Sequence, residues 1–173
     1  MTNEKLFLRY KNRLNNAQGL FFENAIKSAC KKYCELGVAC IDKTPEPFRV
    51  IEKTYKGLFK GRFVAHAQPD FQGTLNDGKS IIFEAKYTTT EKIKYDALTK
   101  TQIEVLERHY KFGAITGVCV GIRDRFFFVP WKFWRNMKKQ IGRKFAFADD
   151  LLKYEVFYKY STGIEFLKSL DNF

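Results

Sequence analysis

Asp70 follows a proline, thirteen residues separate it from Glu84, and Glu84-Ala85-Lys86 completes the pattern. Side chains alternate along an extended strand, so Glu84 and Lys86 point to one face. Asp70 joins them in only one hairpin register. A three-residue loop of Asn76, Asp77 and Gly78 sets Leu75 opposite Lys79, hence Asp70 opposite Glu84 and Gln68 opposite Lys86. Gly78 then takes the third loop position, where such hairpins want a left-handed residue. A two-residue loop would turn Asp70 to the other face, because a slip of one residue inverts the pattern.

Two carboxylates opposed at about 5 Å between Cβ atoms repel unless a cation sits between them. Mg²⁺ suits that gap, since it takes oxygen ligands and retains waters in its other positions. A cation held there activates water for attack on phosphorus and stabilises charge on phosphate oxygens. Lys86 beside it can orient that water or neutralise the charge of the pentavalent intermediate. The charges at Glu84 and Lys86 also interrupt the apolar run Ile81-Ile82-Phe83, which is costly unless they are paired or metal-bound. As a bare pattern, the same residues also fit an ordinary solvated strand face with Asp70 in a turn.

The elements that must position these residues are legible from periodicity. Ala17 to Leu36 reads as a helix with Phe22, Ile26, Ala29, Tyr33 and Leu36 on one face and Gly37 as its stop. Strands are expected at 38–41, 48–53 and 62–68, with Thr44-Pro45-Glu46-Pro47 forcing an extended turn between the first two. The hairpin 70–75/80–88 carries the candidate site. A helix over 99–112 follows, with Ile103, Leu106 and Tyr110 apolar and Gly113 as cap. Strands at 114–122 and 125–129, a helix opened by Pro130 and running towards Lys139, and a last helix after Gly163 complete an α/β sandwich around a mixed sheet. The expected organisation is a basic N-terminal arm over 1–16 and a single domain over 17–173.

At these residues the chain resembles the RecU-type Holliday junction resolvases, within the PD-(D/E)xK nuclease superfamily. The resemblance runs from about Asn12 to Leu170 and rests on Gly19-Leu-Phe-Phe-Glu23, Lys43-Thr-Pro-Glu-Pro47, Asp70-Phe-Gln-Gly73, Phe83-Glu-Ala-Lys86 and Gln102. It implies a restriction-endonuclease-like fold, a mixed central sheet flanked by helices. It implies that Asp70 and Glu84 bind Mg²⁺, with Mn²⁺ able to substitute, that the Ala85 carbonyl is a further ligand and that Lys86 is the catalytic lysine. Glu23 would add an acidic group near the metal, and Gln102 would support the site from the next helix. The implied activity is symmetric cleavage of four-way junctions by a homodimer, which supplies two sites related by the junction's own symmetry. The alternatives are a related nuclease acting on flaps, ends or duplex, and a non-catalytic DNA-binding protein of the same fold.

Composition agrees with a polyanion partner. The chain has 173 residues, with 31 Lys and Arg against 19 Asp and Glu, a net charge of +12. Lys53, Lys56, Lys60 and Arg62 surround Tyr55 and Phe59, a basic loop suited to gripping phosphates or entering a junction. A second stretch, 125–144, holds seven basic residues and no acidic one. There Arg135, Lys138, Lys139 and Arg143 are expected to face phosphate, while Trp131, Phe133 and Trp134 serve as core or dimer contacts. Arg9, Lys11 and Arg13 could order on DNA.

Other chemistries find little support. The longest apolar run, Phe126 to Trp131, is far below the ~20 residues of a membrane span. No secretory signal is evident, so a cytoplasmic location and reduced cysteines are expected. Cys30, Cys34 and Cys40 lack a second close ligand pair for zinc, neither histidine has a nucleophile at recognisable spacing, and no phosphate-cradling glycine loop with lysine is present.

Overall fold

The computed structural model describes residues 3–45, 48–53, 55–63 and 68–173, without the side chains of residues 3–14, 56, 63 and 172. In chain order the elements are α1 (Asn3–Glu35), β1 (Ala39–Lys43), β2 (Phe48–Lys53), β3 (Phe59–Phe63), β4 (Phe71–Leu75), β5 (Ser80–Thr88), β6 (Lys92–Lys94), α2 (Lys100–Lys111), β7 (Ile115–Ile122), β8 (Arg125–Pro130), α3 (Trp131–Arg135), α4 (Met137–Ile141) and β9 (Phe145–Phe147). Three two-residue strands, β10 (Glu155–Val156), β11 (Tyr158–Lys159) and β12 (Gly163–Ile164), precede a closing 3-10 segment, Phe166–Asn172.

Six strands form one sheet in the order β1-β4-β5-β7-β8-β10. Only β5 and β7 run parallel; the other neighbours are antiparallel. The parallel step requires a crossover, which α2 supplies. The sheet is buried on both faces, so its central strands read as continuous apolar runs. On one face Ile81, Phe83, Cys119 and Phe128 pack against Phe22, Ile26 and Ala29 of α1 and against Phe166. On the other, Ile82, Val118, Val120 and Val129 pack against Leu106 of α2 and Trp131 and Trp134 of α3. Glu84 and Lys86 share the parity of Ile82 and therefore belong to the α2 face. The architecture is the mixed central sheet flanked by helices that the sequence implied.

Several expectations need correction. Residues 3–16, expected as a separate basic arm, continue α1 as unbroken helix. Leu36, expected on the buried stripe, lies beyond the helix end and is exposed. Pro130 does open a helix, but the backbone breaks at Asn136 into two five-residue pieces instead of running on to Lys139. The last helix is a 3-10 segment that begins at Phe166, and Ile164 pairs with Tyr158 in a short ladder. The strand expected over 62–68 ends at Phe63, and its remainder to Ala67 lies outside the described residues, as do Glu46 and Pro47 of the expected turn. The strand expected over 48–53 is observed as β2, but the basic loop expected over 53–62 holds most of its antiparallel partner β3, so the two form a hairpin of their own, with all six residues of β2 exposed. Among the described residues no helix is long and apolar enough to cross a membrane.

Edge strand β1 meets β4 at unusually close range. A Cβ on Gly73 would stand 2.0 Å from the Cys40 carbonyl oxygen and 2.6 Å from the Ile41 Cα. Backbone cannot yield as a side-chain tip can, so Gly73→Ala pushes β1 away from the strand that presents Asp70. The expected cost is about 1–3 kcal/mol, as for overpacking elsewhere. Urea unfolding of the variant checks this, and an unchanged midpoint would contradict it.

Candidate active site

The β4–β5 hairpin closes through Asn76, Asp77 and Gly78. The Leu75 amide donates to the Lys79 carbonyl at 2.9 Å, and the Gly78 amide donates to the Leu75 carbonyl. Gly78 has φ of 84°, the left-handed conformation this loop position demands. The ladder runs Thr74↔Ser80, Gly73↔Ile81, Gln72↔Ile82 and Phe71↔Phe83. That register sets Asp70 opposite Glu84, one step past the end of β4. The rings of Phe71 and Phe83 stack at 5.0 Å on the α1 face and pin it. A slipped hairpin would have to expose both.

Where β4 stops, the β5 edge would have an unpaired amide. Asp70 fills the gap: its Oδ2 accepts from the Ala85 N–H at 2.9 Å, while its own carbonyl accepts from the Thr44 amide at 2.9 Å. Within a strand the N–H and C=O of one residue point to the same edge, so the Ala85 carbonyl also faces the Asp70 side.

Glu84 is fully buried. Its Oε2 accepts from Gln102 Nε2 at 2.6 Å and lies 3.9 Å from Lys86 Nζ, whereas Oε1 is buried with no hydrogen-bond partner among the described residues. Burial pushes its carboxyl up to about 9; the adjacent Asp70 carboxylate adds to the rise, and Lys86 opposes it. Lys86 retains a quarter of its surface, 23%, so the pair opens towards solvent on its side.

Gln102 reaches Glu84 because α2 starts where it does. The N-cap Thr99 side chain accepts from the Gln102 amide, and Gln102 Oε1 accepts from the Thr99 amide at 3.0 Å. This capping box leaves Nε2 free to donate to the buried carboxylate. Its signal, Thr-x-x-Gln ahead of an apolar stripe, is present in the sequence and would have assigned Gln102 its orientation without any family pattern.

Glu23 is not brought into the acidic pair. It sits on α1, which packs on the other face of the sheet, and its carboxylate binds Lys43 and Lys27, the latter at 2.8 Å. Burial raises its pKa, but hydrogen bonds from those two lysines outweigh that and hold it below the ordinary value. Among the described residues no group of three acidic, histidine or cysteine side chains could enclose a metal ion. A divalent cation would therefore rely on two carboxylates, a backbone carbonyl and water, the donor set that hard cations accept. The orphaned Oε1 of a buried carboxylate beside a second carboxylate fits such an ion.

The expected DNA contacts divide. Lys53, Lys60, Arg62, Lys138 and Lys139 are exposed, Lys60 with Glu52 at 3.4 Å. Arg135 is committed: it bonds Glu107 at 3.1 Å and lies over the Tyr110 ring. Arg143 likewise binds Asp150. Trp131, Phe133 and Trp134 are buried core, which removes them as dimer contacts. The side chains of Arg9, Lys11, Arg13 and Lys56 are outside the described set.

The sequence model of the family described as recombination protein U, RecU, matches residues 17–172. Holliday junction resolvases RecU of Staphylococcus aureus strains JH9 and COL are each 23% identical over 168 residues, spanning 89% of this chain and 80% of theirs. Among solved structures, the Holliday junction resolvase Hjc of Archaeoglobus fulgidus is 14% identical, with a TM-score of 0.41 over 70% of this chain and 87% of that one. The family match takes in Asp70, Glu84, Lys86 and Gln102 together with the helices and strands that carry them. The chain belongs to the recombination protein U family, the family of the RecU Holliday junction resolvases.

Proposed function

We propose that this protein is a Mg²⁺-dependent endonuclease that resolves four-way DNA junctions in the cytoplasm by paired, symmetric cuts, acting as a homodimer. The observation that carries the reading is the buried Glu84 carboxylate with its free Oε1, set opposite Asp70 and on one face with Lys86. Asp70 and Glu84 hold the cation, and the Ala85 carbonyl, facing the same edge, adds a third oxygen. When bound, a divalent ion supplies Lewis acidity and offsets the charge that develops on phosphate oxygens. Gln102 fixes the Glu84 rotamer by its 2.6 Å bond. Lys86, on the open side, places a fixed positive charge where the scissile phosphate approaches. Glu23 acts at one remove, holding Lys43 at the end of β1, whose next residue, Thr44, bonds the Asp70 backbone.

A labelled synthetic four-way junction, a flap and a linear duplex of one sequence, each offered with Mg²⁺, Mn²⁺ or EDTA, test the reading. Nicks at symmetric positions on two opposed junction strands, with Mg²⁺ only or with Mn²⁺ in its place, are expected. Equal cutting of all three substrates would remove the junction selectivity, and cutting in EDTA would remove the metal. Lys86→Ala is expected to lower the single-turnover cleavage rate by roughly 10²–10³-fold, the usual loss for one electrostatic donor at a reacting centre. Junction affinity measured in EDTA should stay unchanged in that variant.

A further inference from the structure

The ribbon formed by β6 and β9 gives little signal in the sequence, because each strand has only three residues. Its register is Lys92↔Phe147, Ile93↔Ala146 and Lys94↔Phe145. Ile93 and Ala146 are buried in the core of the α2 face. Strand alternation therefore sends Lys92, Lys94, Phe145 and Phe147 to the outward side. There Lys92 Nζ lies 4.4 Å above the Phe145 ring, and the Arg143 guanidinium lies 5.3 Å from Phe145 and 5.5 Å from Phe147. Arg143 is already neutralised by Asp150, and the nearby Asp149 by Arg125. Lys92 and Lys94 have no ion-pair partner among the described residues, and Phe147 keeps 38% of its surface exposed.

Position gives this patch its meaning. Only three residues separate Thr88, at the end of β5, from Lys92. The strand that presents Glu84 and Lys86 thus leads straight into the ribbon, and Lys92 is at most about 20 Å along the chain from Lys86. An exposed ring, Phe147, in register with Lys92 and near Lys94, two lysines with no acidic partner among the described residues, is poorly suited to water alone. The three together suit a phosphodiester backbone that carries an unstacked base, because phosphates take the cations and any base can lie on a ring.

We propose that the outward face of the β6–β9 ribbon is a DNA subsite beside the acidic pair, where Lys92 and Lys94 meet backbone phosphates and Phe147 stacks on a base left unpaired at the branch point. This rests on the nuclease reading above. The subsite holds the strand leaving the catalytic centre and favours branched over fully paired DNA.

Binding of a labelled four-way junction and of a linear duplex, measured in EDTA from about 50 to 300 mM NaCl, tests it. The double variant Lys92→Gln/Lys94→Gln is expected to flatten the slope of log affinity against log salt by about two, with a 10- to 100-fold loss near 0.1 M. Its thermal midpoint should stay within a few degrees of that of the unaltered protein, since among the described residues neither lysine is ion-paired and Lys92 gives up only a surface contact with the Phe145 ring. Phe147→Leu, which keeps apolar bulk, and Phe147→Ala should each weaken the junction complex about tenfold and leave the duplex complex and the salt slope alone. An unaltered slope and affinity in the lysine variant overturn the subsite. So does an equal loss on duplex and junction in both Phe147 variants. Failure of the unaltered protein to bind any junction overturns the parent reading instead, which separates the two outcomes.

Discussion

Asp70→Asn and Glu84→Gln each yield a protein that binds a four-way junction and leaves it uncut. Both substitutions are nearly isosteric and both take away a carboxyl group that can supply negative charge where a cation must be held. A metal ion contributes several kcal/mol of charge stabilisation to such a reaction, so its loss lowers the rate by on the order of 10³-fold or more. The two variants should differ in what else they disturb. Asp70 Oδ2 accepts the Ala85 amide, and an asparagine can preserve that bond only by turning its carbonyl oxygen inward. Glu84→Gln sets one amide against another, because Gln102 Nε2 needs an acceptor and the new side chain offers one oxygen and one NH₂ group. Far-ultraviolet circular dichroism and junction binding in EDTA should match the unaltered protein in each case. Single-turnover cleavage is the measurement that decides, and full cleavage by either variant would remove the acidic pair from the chemistry.

How much of this site was readable beforehand follows from the range of the forces involved. Hairpin register is set locally, by loop length and by one left-handed glycine, so Asp70 could be placed opposite Glu84 from the sequence. The stripes of α1 and α2 were visible for the same reason: burial of one face leaves a 3.6-residue period. The N-terminal extension of α1 was not, although Leu6, Tyr10 and Leu14 recur at four-residue spacing, because the basic residues between them read equally as a separate arm. Strand β2 is expected over its observed range, 48–53, whereas most of β3 falls inside the expected basic loop, because Lys60, Gly61 and Arg62 show no apolar alternation. Short strands such as β6 and β9 carry too few residues for any period. Glu23 shows the limit of carrying roles by pattern alone: the residue is present, yet long-range packing of α1 hands its carboxylate to Lys43. Arg135 and Arg143 likewise looked available in a stretch free of acids, and found Glu107 and Asp150 from elsewhere in the chain.

Without metal, the protein is expected to lose stability as pH rises from about 5 to about 9. In the unfolded chain Glu84 ionises near its ordinary value of 4.5, whereas in the folded protein burial pushes the carboxyl up to about 9. Between those values the folded state holds a proton that the unfolded state has released. Stability then falls with rising pH, because its slope follows the protons bound by the unfolded minus the folded state. The contribution is complete below the lower value and is lost as the folded carboxyl ionises. Urea midpoints at about pH 5, 7 and 9 in EDTA should decline for the unaltered protein, and Glu84→Gln should remove most of that decline. A divalent cation competes for the position of the same proton, so Mg²⁺ flattens the profile and its binding releases a proton near neutral pH. Titration calorimetry in two buffers of different ionisation enthalpy reads that proton directly. The site would then bind its ion more tightly as pH rises over the range in which the empty protein weakens, and cleavage at limiting Mg²⁺ should climb with it. A flat stability profile in EDTA, or metal binding with no proton released, would mean that Glu84 is already ionised in the empty protein and that burial does not hold its proton.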